Sequence, residues 1–400
     1  MASWIGIGHA SLEENPKAAE EAAMMALKNA QLPDGQSVNL VLLFCSSLYP
    51  QTKIVESVYS TLYPKVLVGC SSAGEIISSG SLKRSVVVLL FSSDKIEVSA
   101  GFGESAHENP RQAGQRASFM AAQGIKKERH AFLIFPDGLA GNGSDILRGC
   151  QEALGTSFPI IGGSAADDYS FKKTFQFFQN KVLTNSVVGA LFGGEVSMGV
   201  GIRHGWSPIG KPRKVTKSYL NRVDELDGSP AANLYAEYFG SVAEELKQES
   251  LARLTLAYPL GMSIPGEEEY LLRNVLRVDP ATGALIYSAD IPEQSHVRLM
   301  MSSRENILSA ARRATLQALN GLNGKKPLFA LVFNSVARKK LLRFQAKEEV
   351  QTIQQALGES VPLAGFYSYG EQAPLGAAMH RGQSHFHNES VVVVTVAENS

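Results

Sequence analysis

Cysteine is scarce in this chain: Cys45, Cys70 and Cys150 are the three, and no two form a Cys-x-x-Cys pair. That argues against a disulfide framework and against a structural zinc site. Neither sign of charge prevails, since Lys plus Arg and Asp plus Glu each total 38. No long-range field therefore draws the chain to nucleic acid or to an anionic membrane. No apolar run approaches the ~18 residues of a membrane span, and the N-terminus lacks a signal-peptide pattern. A P-loop, a G-x-G-x-x-G ahead of a helix and an H-E-x-x-H are all missing. Long linkers and low-complexity tails are missing too. The expectation is a soluble, cytoplasmic protein without membrane or nucleic-acid partners. Its 44% apolar content is enough for ordinary cores.

What the chain has is one kind of turn in three places. Gly69-Cys70-Ser71-Ser72-Ala73-Gly74-Glu75, Gly162-Gly163-Ser164-Ala165-Ala166-Asp167-Asp168 and Gly365-Phe366-Tyr367-Ser368-Tyr369-Gly370-Glu371 each follow a short apolar strand and end on a carboxylate. Glycine and small hydroxyl residues give a tight bend with exposed backbone N–H groups beside a negative charge. Three such bends imply repeated units that converge on a pocket.

The repeat extends beyond the turns. Asn15-Pro16 and Asn109-Pro110 both read as an N-cap with proline opening a helix. Each half then carries helix, strand, helix, short strand, glycine turn and two further strands. Ile54, Val58 and Leu62 supply a helical apolar stripe in the first half. The order returns late in the chain, where Ser302 and Glu305 predict a capping box before a helix. The Pro- and Gly-rich stretch Gly205–Pro212 is the expected boundary. The fold class expected is α/β, with mixed β-sheets covered by helices. An internally duplicated N-terminal domain (1–205, units about 1–105 and 106–205) precedes a related C-terminal domain (206–400).

Site residues follow from these turns. Glu75, Asp168 and Glu371, with Asp167, offer carboxylates to an ammonium or amide, while the turns' N–H groups and the hydroxyls of Ser71, Ser72 and Ser164 suit a carboxylate. Each acid equally suits capping its own turn. Arg338, after a strand, presents a planar fork to an anion, or lies exposed beside Lys339 and Lys340. Tyr367 and Tyr369 alternate along one face as a pocket wall or as core. His385 and His387, with His380 nearby, make a half-set of metal ligands without a third, so no metal is expected. Gly69–Ala73 approaches a nucleophile elbow built on Cys70 or Ser71, but a strand rather than a helix follows. A Cys- or Ser-dependent hydrolase is therefore only an alternative, and no enzyme activity is expected.

These turns, together with His387-Asn388 before the last strand, resemble the FIST family, with its FIST N-terminal and FIST C-terminal domains. The resemblance covers nearly the whole chain. It implies an intracellular sensory protein that binds a small ligand, an amino acid or a derivative. The signal would pass to a partner such as a histidine kinase or a cyclic-nucleotide enzyme. It also implies an alternative, a haem-binding nitric-oxide sensor, although no cofactor is otherwise expected. Two departures stand out. Ser335 replaces the thiol of the family's Cys-x-x-Arg pattern, which retains Arg338, and the closing motif reads His387-Asn388-Glu389-Ser390.

Overall fold

The computed structural model describes residues 3–11, 15–240, 257–267, 269–375 and 382–399. His380 lies outside them. Three six-stranded sheets share one plan. The first places Ser3–Ala10, Val86–Ser93, Leu40–Ser46 and Val66–Ser72 side by side. The second repeats this with Ile96–Glu104, Ser186–Gly194, Arg129–Pro136 and Ile160–Gly163. The third uses Val196–Arg203, Val391–Glu398, Phe329–Ser335 and Leu363–Ser368. In each, one parallel pair sits among antiparallel neighbours, so the sheets are mixed.

Each sheet is completed by a hairpin borrowed from another unit. Gln176–Phe178 and Lys181–Leu183 of the second unit extend the first sheet. Glu371–Pro374 and Ser384–His387 of the third extend the second, and Glu75–Ile77 with Gly80–Ser81 of the first extend the third. The exchange closes a ring.

The strands are apolar on both faces, as sheets covered on both sides require. Leu42, Phe44, Leu133, Phe135, Leu331 and Phe333 share the core inside the ring. Phe44 and Phe135 meet edge to face at 5.5 Å and Phe135 and Phe333 at 5.9 Å, which fills the axis. The outward residues pack under helices. Lys17–Ala30 and Gln51–Leu62 cover the first sheet, and Pro110–Gln123 and Gly143–Leu154 the second. Arg304–Gly321 and Ala346–Leu357 cover the third.

A glycine pair in each unit's first strand makes this cover possible. A Cβ on Gly6 or Gly8 would lie 1.9–2.0 Å from the carbonyl oxygens of Ala26 and Ala22. Gly101 and Gly103 stand likewise against Ala117 and Ala113, and Gly199 and Gly201 against Ala318 and Ala314. Only glycine facing alanine lets helix backbone approach strand backbone so closely.

These pairs also mark where each unit begins. The expected second unit ended on Val196–Ile202, but that strand opens the third sheet, antiparallel to Val391–Glu398. The described residues between Trp206 and Ser302 then intervene before the third unit's first helix, as a separate eight-stranded sheet with its own core. Most of the Gly205–Pro212 stretch is not a loop but the start of the strand Trp206–Tyr219, which absorbs Gly210–Pro212 as a bulge. The cap of helix Arg304–Gly321 is Ser303, whose Oγ accepts Asn306 N–H, rather than Ser302. Ser302 Oγ donates to Gly205 O instead. Among the described residues no helix is long and apolar enough to cross a membrane.

Candidate functional site

The three glycine turns meet one another at one end of the ring. Tyr367 N–H donates to Gly74 O (2.8 Å) and Ala73 N–H returns to Tyr367 O (3.0 Å). Ser164 N–H donates to Gly370 O (2.8 Å), and Ala166 N–H to Ser71 O (2.9 Å). Most of the turn backbone is thus consumed in joining units.

Two joints share one side-chain design. Glu75 is fully buried and accepts from Ser72 Oγ, Ser85 Oγ and Ser85 N–H. Glu371 is fully buried and accepts from Ser368 Oγ (2.6 Å) and Ser390 N–H (3.1 Å). Burial pushes the two carboxyls up, to about 7 and about 8, against the hydroxyl and N–H donors that favour the anion. Glu389, buried beside Glu371, is pushed the same way by burial, then by Glu371 itself.

The middle unit departs from this design. Glu75 pairs opposite Phe366, Glu371 opposite Gly163, and the residue opposite Cys70 is Gln176. The structural counterpart of the two acids is therefore Gln176, not Asp168. From Cys70 to Glu75, and from Phe366 to Glu371, the step is five positions; from Gly163 to Gln176 it is thirteen. The additional chain is the loop through Asp168, Tyr169 and Phe171. The middle unit's acid stands instead at Asp137, whose N–H donates to Ser186 O as Ser46 and Ser335 donate to Ser85 O and Ser390 O.

A cavity of about 500 Å³ opens at this altered joint, beyond the carboxyl ends of the middle unit's parallel strands. Its floor holds Asp137, Ser164 and Tyr369. The loop adds Tyr169 and Phe171 to the lining, and the intervening sheet adds Asn274–Leu276 and Ser288. Asn388 and Phe386 complete the wall. Asp137 carboxylate accepts from Leu139 N–H, Thr174 Oγ, Asn185 N–H and, across 3.2 Å, faces His107 Nε2. Asn388 Oδ1 accepts Ser288 Oγ–H (2.5 Å). Ser164 Oγ accepts Gln372 Nε2–H (2.9 Å).

The sequence-derived residues divide accordingly. Ser164, Tyr369 and Asn388 line the cavity. Asp167 caps its own loop through Phe171, Lys172 and Lys173 N–H and accepts from Tyr369 OH. Asp168 accepts from Ser46 Oγ and from Ser47 N–H and Oγ, tying the middle unit to the first. Glu75 and Glu371 sit in the two conserved-design joints. Arg338 does not face the cavity: fully buried, it pairs with Glu349 and donates to His204 O and Ile307 O. Ser335 caps helix Val336–Leu342. Cys70 lies in the core, its thiol pushed well up by burial, and Ser71 Oγ donates to Ala166 O and accepts Phe175 N–H. Ser72 holds Glu75. Tyr367 is fully buried, so the two tyrosines do not form one wall.

His385 and His387 line different clefts, of about 210 and about 460 Å³. His387 Nε2 is engaged by Ala373 O, and burial keeps the ring neutral. Among the described residues no three His, Cys, Asp or Glu side chains gather as a metal site requires. Among the described residues no histidine lines the 500 Å³ cavity, and His204 in the 460 Å³ cleft has Glu269 at 2.8 Å and Trp206 N–H on its nitrogens. With these partners, His387 and His204 do not fit an axial haem ligand.

Sequence reasoning missed Asp137, Gln176 and Lys339. Lys339 Nζ donates to Ala73 O (2.7 Å) and sits 4.5 Å over the Tyr367 ring. Burial pushes it down to about 8, although Glu75 and Asp168 act the other way. A signal for the joints was present in the repeated Ser85-Val86-Val87, Ser186-Val187-Val188 and Ser390-Val391-Val392.

Comparison with known proteins follows the same outline. An uncharacterised protein of Mycobacterium tuberculosis is 26% identical over 389 residues, covering 94% of this chain and 97% of its own length. An uncharacterised protein of Methanocaldococcus jannaschii is 29% identical over 256 residues, covering 60% of this chain and 49% of its own. A cyanuric acid hydrolase structure matches over the full length of both chains at 9% identity and a TM-score of 0.38, too remote to carry function. The FIST N domain model matches residues 39–229 and the FIST C domain model residues 231–374. The chain therefore belongs to the FIST family, whose domains are generally sensory domains implicated in signal transduction.

Proposed function

We propose that this protein is a sensory module whose small organic ligand, of the size of an amino acid or a derivative, occupies the cavity at the altered joint. The occupied state is read by a separate signalling enzyme, such as a histidine kinase or a cyclic-nucleotide enzyme. One observation carries this reading: the cavity is walled by the middle unit, the third unit and the intervening sheet together. A ligand touching all three favours one relative arrangement of them, and it shifts the equilibrium by its preference for that arrangement. Support for a binding rather than a catalytic role comes from Ser164, whose hydroxyl oxygen accepts from Gln372 and which has no histidine as a base among the described lining residues.

The test is hydrogen exchange of the whole chain with a bacterial metabolite extract below about 500 Da, a size the cavity admits. Residues 167–171 and 274–276 are expected to gain protection. Ala140→Trp, which fills the cavity, abolishes that gain while leaving the melting temperature near wild type. Equal protection in the filled variant overturns the reading.

A further inference from the structure

The loop at the cavity mouth is held in an unusual backbone. Asp168, Tyr169 and Phe171 have φ of 53°, 66° and 50°, so three of four consecutive non-glycine residues are left-handed. Side chains resist that region, and such runs persist only where the surroundings hold them. Here the surroundings do. Asp168 is bonded to Ser46 and Ser47 of the first unit, Tyr169 OH donates to Val336 O of the third, and Asp167 accepts Tyr369 OH.

What this backbone achieves is the placement of two rings beside the cavity rather than in a core. Phe171 is 58% exposed and Tyr169 37%, and Leu276, also in the lining, is 53% exposed. The Phe171 ring stacks on Tyr369 at 4.7 Å and 12°. Large apolar side chains left uncovered at a cavity mouth favour an apolar occupant.

Among the described lining residues Ser164, Asn274, Ser288 and Asn388 are neutral, while Asp137 and Lys340 are ionisable. With its Oδ1 bonded to Ser288, Asn388 has an Nδ2 without a partner among the described residues. Asn274 Oδ1 is buried without a partner among them. One free donor and one free acceptor complement an amide edge. Charge is not matched for a zwitterion. Asp137 carboxylate is already engaged by four neighbours, and Lys340 lies exposed at the rim. A free amino acid would bring its ammonium to a carboxylate that four neighbours already occupy, and its own carboxylate to a solvated lysine at the rim rather than to a charge inside.

Resting on the reading that this cavity is the ligand site, we infer that it selects an uncharged planar aromatic molecule with an amide-type edge over free amino acids. The ring packs against Phe171 and Tyr169, and the amide edge meets Asn388 and Asn274.

The experiment is calorimetric titration of the full chain with N-acetyltyrosinamide, benzamide and indole-3-carboxamide. Free tyrosine and N-acetyl-leucinamide serve as the charged and the non-aromatic comparison. At least one aromatic amide is expected to bind about tenfold more tightly than both comparison compounds. Phe171→Ala and Asn388→Ala each weaken it about fivefold, with thermal melts confirming the fold. Failure of all three amides to bind overturns the ligand class, as does equal binding of N-acetyl-leucinamide or tyrosine. In the last case, loss of that binding in Ala140→Trp keeps the cavity as the site, whereas unchanged binding removes the site as well.

Discussion

Glu75→Gln and Glu371→Gln are expected to stabilise this protein above neutral pH, against the usual rule that losing a hydrogen-bonded acid destabilises. Each carboxyl is fully buried, and burial lifts it from the ordinary 4.5 to about 7 for Glu75 and to about 8 for Glu371. A folded carboxyl that holds its proton more tightly than the unfolded one binds more protons across that window, so stability falls as pH rises. The contribution is complete below the unfolded value and is lost as pH climbs through the folded one. At 1.36 kcal/mol per unit, the lifts correspond to about 3 kcal/mol for Glu75 and about 5 kcal/mol for Glu371. Glutamine keeps the shape and the acceptor while removing the charge, and the middle unit already carries glutamine at its equivalent place, Gln176. Urea unfolding between about pH 5 and about pH 9 gives the measurement. Wild type should weaken steadily over that range, and the double variant should lose most of the slope. Some slope remains from Glu389, which is pushed up by burial in the same direction. A double variant with an undiminished slope, or one less stable than wild type at the alkaline end, would refute the assignment.

Arg338→Ala should lower stability by about 3–5 kcal/mol, because it strands the buried carboxylate of Glu349. Affinity of the folded fraction for any cavity ligand should stay unchanged; a selective loss of binding would return Arg338 to the site. Gly199→Ala, whose Cβ would fall 1.8 Å from Ala318 O, should cost at least the upper part of the about 1–3 kcal/mol typical of overpacking. A thermal melt indistinguishable from wild type would show that this helix can move away.

The elements themselves were legible because apolar periodicity and proline caps report local structure directly. Helix Pro110–Gln123 begins where Asn109-Pro110 places it. What sequence adjacency concealed was the ownership of strands. Ser186–Gly194 and Val196–Arg203 read as the last two strands of one unit, yet they lie in different sheets, joined by a turn that carries the chain from one unit to the next. The Gly-x-Gly pairs were the better guide, since they record where a helix backbone must come close. At the site, the turns were visible, but the thirteen-position step to Gln176 made Asp168 look like the third acid. Arg338 looked exposed beside two lysines because its partner, Glu349, lies on another helix and leaves no local trace.

The ring of exchanged hairpins has a further consequence. The ring closes through three contacts of similar shape, two of them built on a buried glutamate and a serine. The third departs from that pattern while still bonding the middle unit to the first through Asp168, so substitutions or added residues there are expected to alter what the molecule recognises while the other two joints keep their form.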